Sequence, residues 1–169
     1  MPRTSALTAR AGAEPGVRWF RRPGRRSQGC WVIQLRFPGL LPYRDVALRV
    51  VSASCKVAGK LGGAGALRPS KDFADQVVSA CGEALNNIFI HGYRDLPPGE
   101  VVVEIEFEPK RLVLRILDDG RSFDPTLIPP PDLDGLPESG MGLFIIRSFM
   151  DVVSYEPGRP NTLLLAKSF

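Results

Sequence analysis

Two stretches of mostly β-forming residues, "VVVEIEF" (101–107) and "LVLRILD" (112–118), are separated only by "EPKR". So short a break between two strand-like runs predicts an antiparallel hairpin, because a parallel return needs a dozen or more residues. A hairpin in mid-chain constrains everything around it, since other elements must extend its edges or cover a face. "WVIQLRF" (31–37) alternates, with Trp31, Ile33, Leu35 and Phe37 on one side, as a half-buried strand does. "VVSYE" and "TLLLAK", joined at "PGRPN", predict a closing hairpin.

The remaining periodic segments read as helices. Residues 43–60 carry Val46, Val50, Val57 and Leu61 near helical spacing, and "GKLGGAG" stops that helix. A second helix is expected from Ser70, as N-cap, to His91, with Gly92 in the C-cap position. "MGLFIIRSFM" (141–150) predicts a short third helix, and residues 119–140, rich in Pro, Gly and Asp, read as a long loop. The order β-α-α-β-β-loop-α-β-β predicts an α+β fold: a two-layer sandwich with a mixed, mostly antiparallel sheet and helices on one face.

Charge divides the chain. Residues 1–28 hold seven arginines against Glu14, a balance of +6, while the whole chain is only +4. The rest is therefore −2, so the basic character belongs to an Arg-rich arm, expected to be disordered, and not to a nucleic-acid-binding surface. Residues 29–169 read as one domain. Cys30, Cys55 and Cys81 form no CxxC pair, and Cys55 and Cys81 lie among apolar residues, which predicts free buried thiols in a reducing, cytoplasmic setting. No apolar run approaches the ~20 residues of a membrane span, and no signal peptide is expected.

The chemistry concentrates in three stretches. In "CGEALNNIFIHGY" (81–93), Gly82, Asn86 and Asn87 are poor helix formers inside an otherwise amphipathic helix. Phe73, Val77, Cys81, Ala84 and Ile88 fall on one apolar stripe, and Glu83 and Asn87, four apart, lie together at its edge. The Asn87 amide oxygen suits a hard cation such as Mg²⁺, and the Glu83 carboxylate suits a general base. Taken alone, the pair also reads as a polar boundary.

"LDDGRSFDP" (117–125) puts Asp118 at a strand end, followed by Asp119 and Gly120. That carboxylate can accept from an exocyclic amine of a base, although an ordinary Asp-Gly turn would look the same. "SGMGLFII" (139–146) sets Gly140 and Gly142 around Met141 at a helix start, where backbone N–H groups suit phosphate. It is not a Rossmann fingerprint, because no strand precedes it, and no P-loop occurs. His91 is the only histidine, which leaves a Ser-His-Asp triad or a histidine-rich metal site little to build on.

Taken in order, "EALNN", "DDG" after a hairpin, "SGMGLFIIRSFMD" after a long loop, and a late threonine in "NTLLLAK" resemble the Bergerat-type ATP-binding fold of the GHKL superfamily (gyrases, heat-shock chaperones, histidine kinases and MutL). Within it, "CGEALNNIFIHGY" and "SGMGLFIIRSFMD" look most like the bacterial anti-sigma factor serine kinases of the RsbW and sporulation type. The resemblance covers about residues 31–167.

The resemblance implies a general base at Glu83, Mg²⁺ held by Asn87, adenine read by Asp118 with room made by Gly120, phosphates along Gly140, Met141 and Gly142, and adenine support from Thr162. It implies ATP and Mg²⁺ as cofactors, a sigma factor and a STAS-type anti-sigma factor antagonist as partners, a homodimer, and no direct contact with nucleic acid or membrane. The chain departs from the family pattern in three places. Ser122-Phe123 stand where the second glycine after "DDG" is usual, Asn161 stands where a glycine usually precedes the threonine, and residues 124–139 hold no Lys or Arg. The expected function is a protein serine kinase that sequesters a sigma factor and phosphorylates its antagonist. A nucleotide-gated binding module without fast transfer, and the catalytic domain of a histidine kinase, are the alternatives.

Overall fold

The structure, a computed structural model, describes residues 16–21, 31–61, 68–122 and 141–169. The strands are β1 (Gly16–Arg21), β2 (Trp31–Pro38), β3 (Glu100–Glu108), β4 (Arg111–Asp118), β5 (Val152–Glu156) and β6 (Asn161–Ser168). The helices are α1 (Tyr43–Leu61), α2 (Phe73–Asn86) and α3 (Met141–Phe149), and a π-helical segment, Asn87–Gly92, continues α2. The six strands form one sheet in the order β1-β2-β3-β4-β6-β5, and every pairing is antiparallel. The α+β sandwich is as expected, without the parallel pairing that a mixed sheet would contain.

The central hairpin forms as its pattern predicts. Pro109 and Lys110 make the turn, and an ion pair between Arg111 Nε and Glu108 (2.6 Å) closes it. Alternation sends Val101, Val103 and Ile105 of β3, and Leu112, Leu114 and Ile116 of β4, toward the helices. The same face takes Ile33, Leu35 and Phe37 of β2, and Leu163 and Leu165 of β6.

The opposite face is also well covered. Val32, Val102, Val113 and Ala166 are buried there, with Glu104 and Glu106 among them. Their charges are met across the strands: Gln34 Nε2 donates to Glu104 (3.2 Å), and Arg115 pairs with Glu106.

Three local expectations change. The arm, expected to lie outside the domain, contributes a strand to it: Gly16–Arg21 pairs along β2 from Gly16↔Arg36 to Arg21↔Trp31. The rest of the arm lies outside the described residues. In α1 the buried stripe is Ala47, Val51, Cys55 and Ala58, one position after the valines, and Val46 and Val57 are exposed. Small side chains there let α1 pack closely on α2 and the sheet, so contact geometry overrides hydrophobicity. Finally, α2 starts at Phe73 without a side-chain cap, and Ser70 contributes only its carbonyl, to the Phe73 N–H (3.2 Å).

Among the described residues no helix is long and apolar enough to cross a membrane. Cys55 and Cys81 are free and buried, and burial pushes both thiols up to about 12.

Candidate functional site

The apolar stripe of α2 is buried as predicted, from Phe73 through Val77, Cys81 and Ala84 to Ile88. The end of this helix departs from the expected regular turn and glycine cap. At Asn87 the helix widens to π geometry, and the Tyr93 N–H reaches back five residues to the Ile88 carbonyl (3.0 Å). A π turn brings residues five apart onto one side, so Asn87, Ile88 and Gly92 all line one cleft. Gly92 does not take the left-handed conformation of a helix cap. It is buried, and its carbonyl accepts from the Arg121 N–H at 2.8 Å.

The cleft lies between the end of α2, α3 and the ends of β4, β5 and β6. It encloses about 400 Å³ of empty space, counting the part open to solvent. Ala84, Ile88, Ile146 and Leu163 supply apolar walls, Tyr155 an aromatic one, and Asn87, Asp118 and Arg121 the polar groups. A flat, largely apolar heterocycle with few hydrogen-bonding edges suits such a lining.

Asp118 is the buried acid of the site, 6% exposed. Its Oδ1 accepts from the Gly120 N–H (2.9 Å) and from Asn161 Nδ2 (3.2 Å), and among the described residues Oδ2 has no hydrogen-bond partner. Burial raises the carboxyl from its ordinary value, and the donors from Asn161 and Gly120 partly offset this. Tyr93 holds the strand end in place: its hydroxyl accepts from the Asp119 N–H (3.2 Å) and donates to the Glu100 carbonyl (3.0 Å). Gly120 is required sterically, because a Cβ there would lie 2.8 Å from the Gly92 carbonyl oxygen.

Glu83 is partly buried, one turn before Asn87, and its carboxylate reaches the start of α3. Asn86 Nδ2 stands 3.5 Å from Glu83 Oε1, a weak contact that biases the carboxylate's direction. Met141 is largely exposed at the α3 N-terminus. Gly140 and the loop before it lie outside the described residues.

Gly82, a poor helix former inside α2, faces α1, where a Cβ would lie 2.9 Å from Arg44 Nη2, so its lack of a side chain serves helix packing. One expectation is corrected: Thr162 does not face the cleft. The register pairs Thr162 with Leu117 and Asn161 with Asp118. Ile116 and Leu163 belong to the core, so alternation puts Asp118 and Asn161 on the helix side and turns Thr162 to the other face. Asn161, seen in the sequence only as a departure, is the β6 side chain that meets Asp118. Asn87 and Asp118 line the cleft, with Gly120 beside Asp118, and Glu83 stands against Gly142 at the start of α3.

Comparison with known proteins agrees with this geometry. Residues 47–167 match the histidine kinase-like ATPase domain family. A protein of Clostridium beijerinckii named anti-sigma F factor is 31% identical over 112 residues, covering 61% of this chain and 76% of the relative. The anti-sigma F factor of Bacillus subtilis is 30% identical over 110 residues, covering 60% and 73%. One from a Geobacillus strain is 32% identical over 110 residues, covering 60% and 73%. The chain belongs to the GHKL-type histidine kinase-like ATPase family, alongside these anti-sigma F factors.

Proposed function

We propose that this protein is an ATP-binding anti-sigma regulator that transfers the γ-phosphoryl group of ATP to a serine of an anti-sigma factor antagonist. The observation that supports it most is Asp118, a buried carboxylate in an apolar cleft with one oxygen saturated by donors and the other left for a ligand. An exocyclic amine meets that oxygen well, whereas a carbonyl in the same place would set two acceptors against each other.

Mg²⁺ usually takes one or two protein oxygens and completes its shell with phosphates and water. The Asn87 carbonyl oxygen is the candidate protein ligand at the cleft wall. When bound, Mg²⁺ would neutralise charge on the transferring phosphoryl group.

Glu83 stands one helical turn from Asn87 and against the first turn of α3. In the proposed reaction it takes the proton of the acceptor serine as the seryl oxygen bonds to the γ-phosphorus. The bond from that phosphorus to the β-phosphate oxygen breaks, and ADP leaves. The relatives' name supports a sigma factor as the sequestered partner, and a STAS-type antagonist would be the acceptor.

The test incubates the protein with Mg²⁺-ATP and a STAS-type antagonist from the same genome, and measures serine phosphate. Glu83→Gln should bind ATP normally and lose about 10²–10⁴ in transfer rate, the usual range for a lost general base. Asn87→Ala should lose Mg²⁺-dependent ATP binding and transfer together. Transfer by Glu83→Gln at the wild-type rate would sink the assigned mechanism. A wild type that binds ATP and transfers nothing is a nucleotide-gated binding module instead.

A further inference from the structure

Asn161 opens β6 and is fully buried, yet the proposed phosphoryl transfer makes no use of it. Its carboxamide makes four hydrogen bonds. Oδ1 accepts from the Ser122 hydroxyl (2.6 Å) and the Gly158 N–H (3.1 Å), and Nδ2 donates to the Gly120 carbonyl (3.0 Å) and to Asp118 Oδ1 (3.2 Å). These partners fix which way the amide points, because an N–H can only donate and a carbonyl can only accept. A fully satisfied buried amide is held rigidly, and this one is held against the carboxylate of the cleft.

Resting on the ATP reading above, the geometry points to Asn161 as the positioning residue that sets the hydrogen-bonding polarity of Asp118, and thereby selects a 6-amino purine over a 6-oxo purine. Asp118 Oδ1 already faces two donors, Asn161 Nδ2 and the Gly120 N–H. A proton on Oδ1 would point at one of them, so any proton on this carboxyl belongs on Oδ2, the oxygen left for a ligand. Ionised, Oδ2 accepts from the amine of adenine. Protonated, it donates, and then suits the carbonyl of hypoxanthine or guanine. The Asn161 donor favours the ionised form, and adenine with it.

The surroundings leave Asp118 as the group whose titration matters. Burial raises its carboxyl and Asp119 adds to that, while the Asn161 and Gly120 donors lower it. Burial also pushes the Tyr93 phenol up to about 12, so it stays neutral at physiological pH. The Glu100 charge acts on Tyr93, Arg121 lines the cleft wall, and His91 on the π-helical segment is exposed. The α3 and β5 walls add Ile146 and Tyr155.

The test measures binding of ATP and of inosine triphosphate, which carries a carbonyl at the six position, by calorimetry between about pH 5 and pH 8. It compares the full-length wild type with Asn161→Ala and Asn161→Asp. The aspartate variant keeps both Oδ1 contacts and puts a charged acceptor in place of the donor; the added charge disfavours the ionised form of Asp118 as loss of the donor does, so this variant carries the test if the alanine variant does not fold. Both variants should lose about tenfold in preference for ATP over inosine triphosphate, the size expected of a hydrogen bond to a charged group. The low-pH limb of ATP binding should move upward, because a carboxyl without its donor keeps its proton to higher pH.

A residue that only fills space would weaken both nucleotides alike and leave the pH limb in place, and that result overturns the inference. So does an unchanged preference in both variants. If the wild type prefers ATP and the variants do too, the role of Asn161 alone fails. If the wild type binds neither nucleotide, the ATP reading fails and this inference with it.

Discussion

Gly142, in the first turn of α3, leaves the space that the Glu83 carboxylate occupies: a Cβ on residue 142 would lie 2.6 Å from Glu83 Oε2. The crowded atom is the end of a flexible side chain, so adding a methyl moves the carboxylate and spares the helix. Alanine is also favoured over glycine in a helix by up to about 1 kcal/mol. Gly142→Ala should therefore keep or raise the thermal midpoint while phosphoryl transfer falls about tenfold or more, because a displacement of ~1 Å at a reacting group is costly. Transfer at the wild-type rate would show that the position of Glu83 does not matter.

The same substitution at Gly120 should behave in the opposite way. A Cβ there meets backbone, 2.8 Å from the Gly92 oxygen and 2.9 Å from its carbon, and the Arg121 N–H already ties that carbonyl to the strand end. Neither side can yield without breaking the junction between the π-helical segment and β4. Gly120→Ala should lose about 1–3 kcal/mol in denaturant titration. A variant as stable as the wild type would mean that this junction is loose.

Asp118 should trade stability for binding. Its folded carboxyl is raised above the ordinary 3.8, so between that value and the raised one the folded chain holds more protons than the unfolded chain. Stability then falls as pH rises through this window, and the deficit is complete above it. Asp118→Asn keeps an acceptor for the Gly120 and Asn161 donors and removes the charge. It should raise the thermal midpoint at neutral pH and leave it unchanged well below the window. ATP affinity should drop at least about tenfold, or ~1.4 kcal/mol, since an amide donor then faces the adenine amine. Unaltered ATP affinity in the folded variant would remove Asp118 from the site.

Thr162→Val should leave ATP affinity within about twofold, because the register turns residue 162 away from the cleft. A tenfold loss in calorimetry would show that the side chain reaches the nucleotide after all.

Much of this molecule is readable from patterns with short physical range. The β3–β4 hairpin comes from two β-rich runs and a four-residue break, the α2 stripe from helical spacing, and Glu83, Asn87 and Asp118 from residue type at an element's edge or end. Where competing faces are of similar apolarity, such reading fails. In α1 the valines at 46 and 57 outscore the alanines at 47 and 58, yet the alanines are buried because two helices and a sheet must approach closely.

The sequence alone determined the α+β class, the closing hairpin and two polar residues of the cleft, Asn87 and Asp118, because period, turn chemistry and side-chain type act over a few neighbours. Only the tertiary structure decided which of Asn161 and Thr162 faces Asp118, since a shift of one residue in strand register reverses every side chain. Only it could show that Gly82 serves Arg44 while Gly142 serves Glu83, because what a missing Cβ makes room for belongs to another element. The widening at Asn87 is of the same kind. A π turn is a poor local choice for any chain, and here it is held by the Gly92–Arg121 bond to a strand end 29 residues further along.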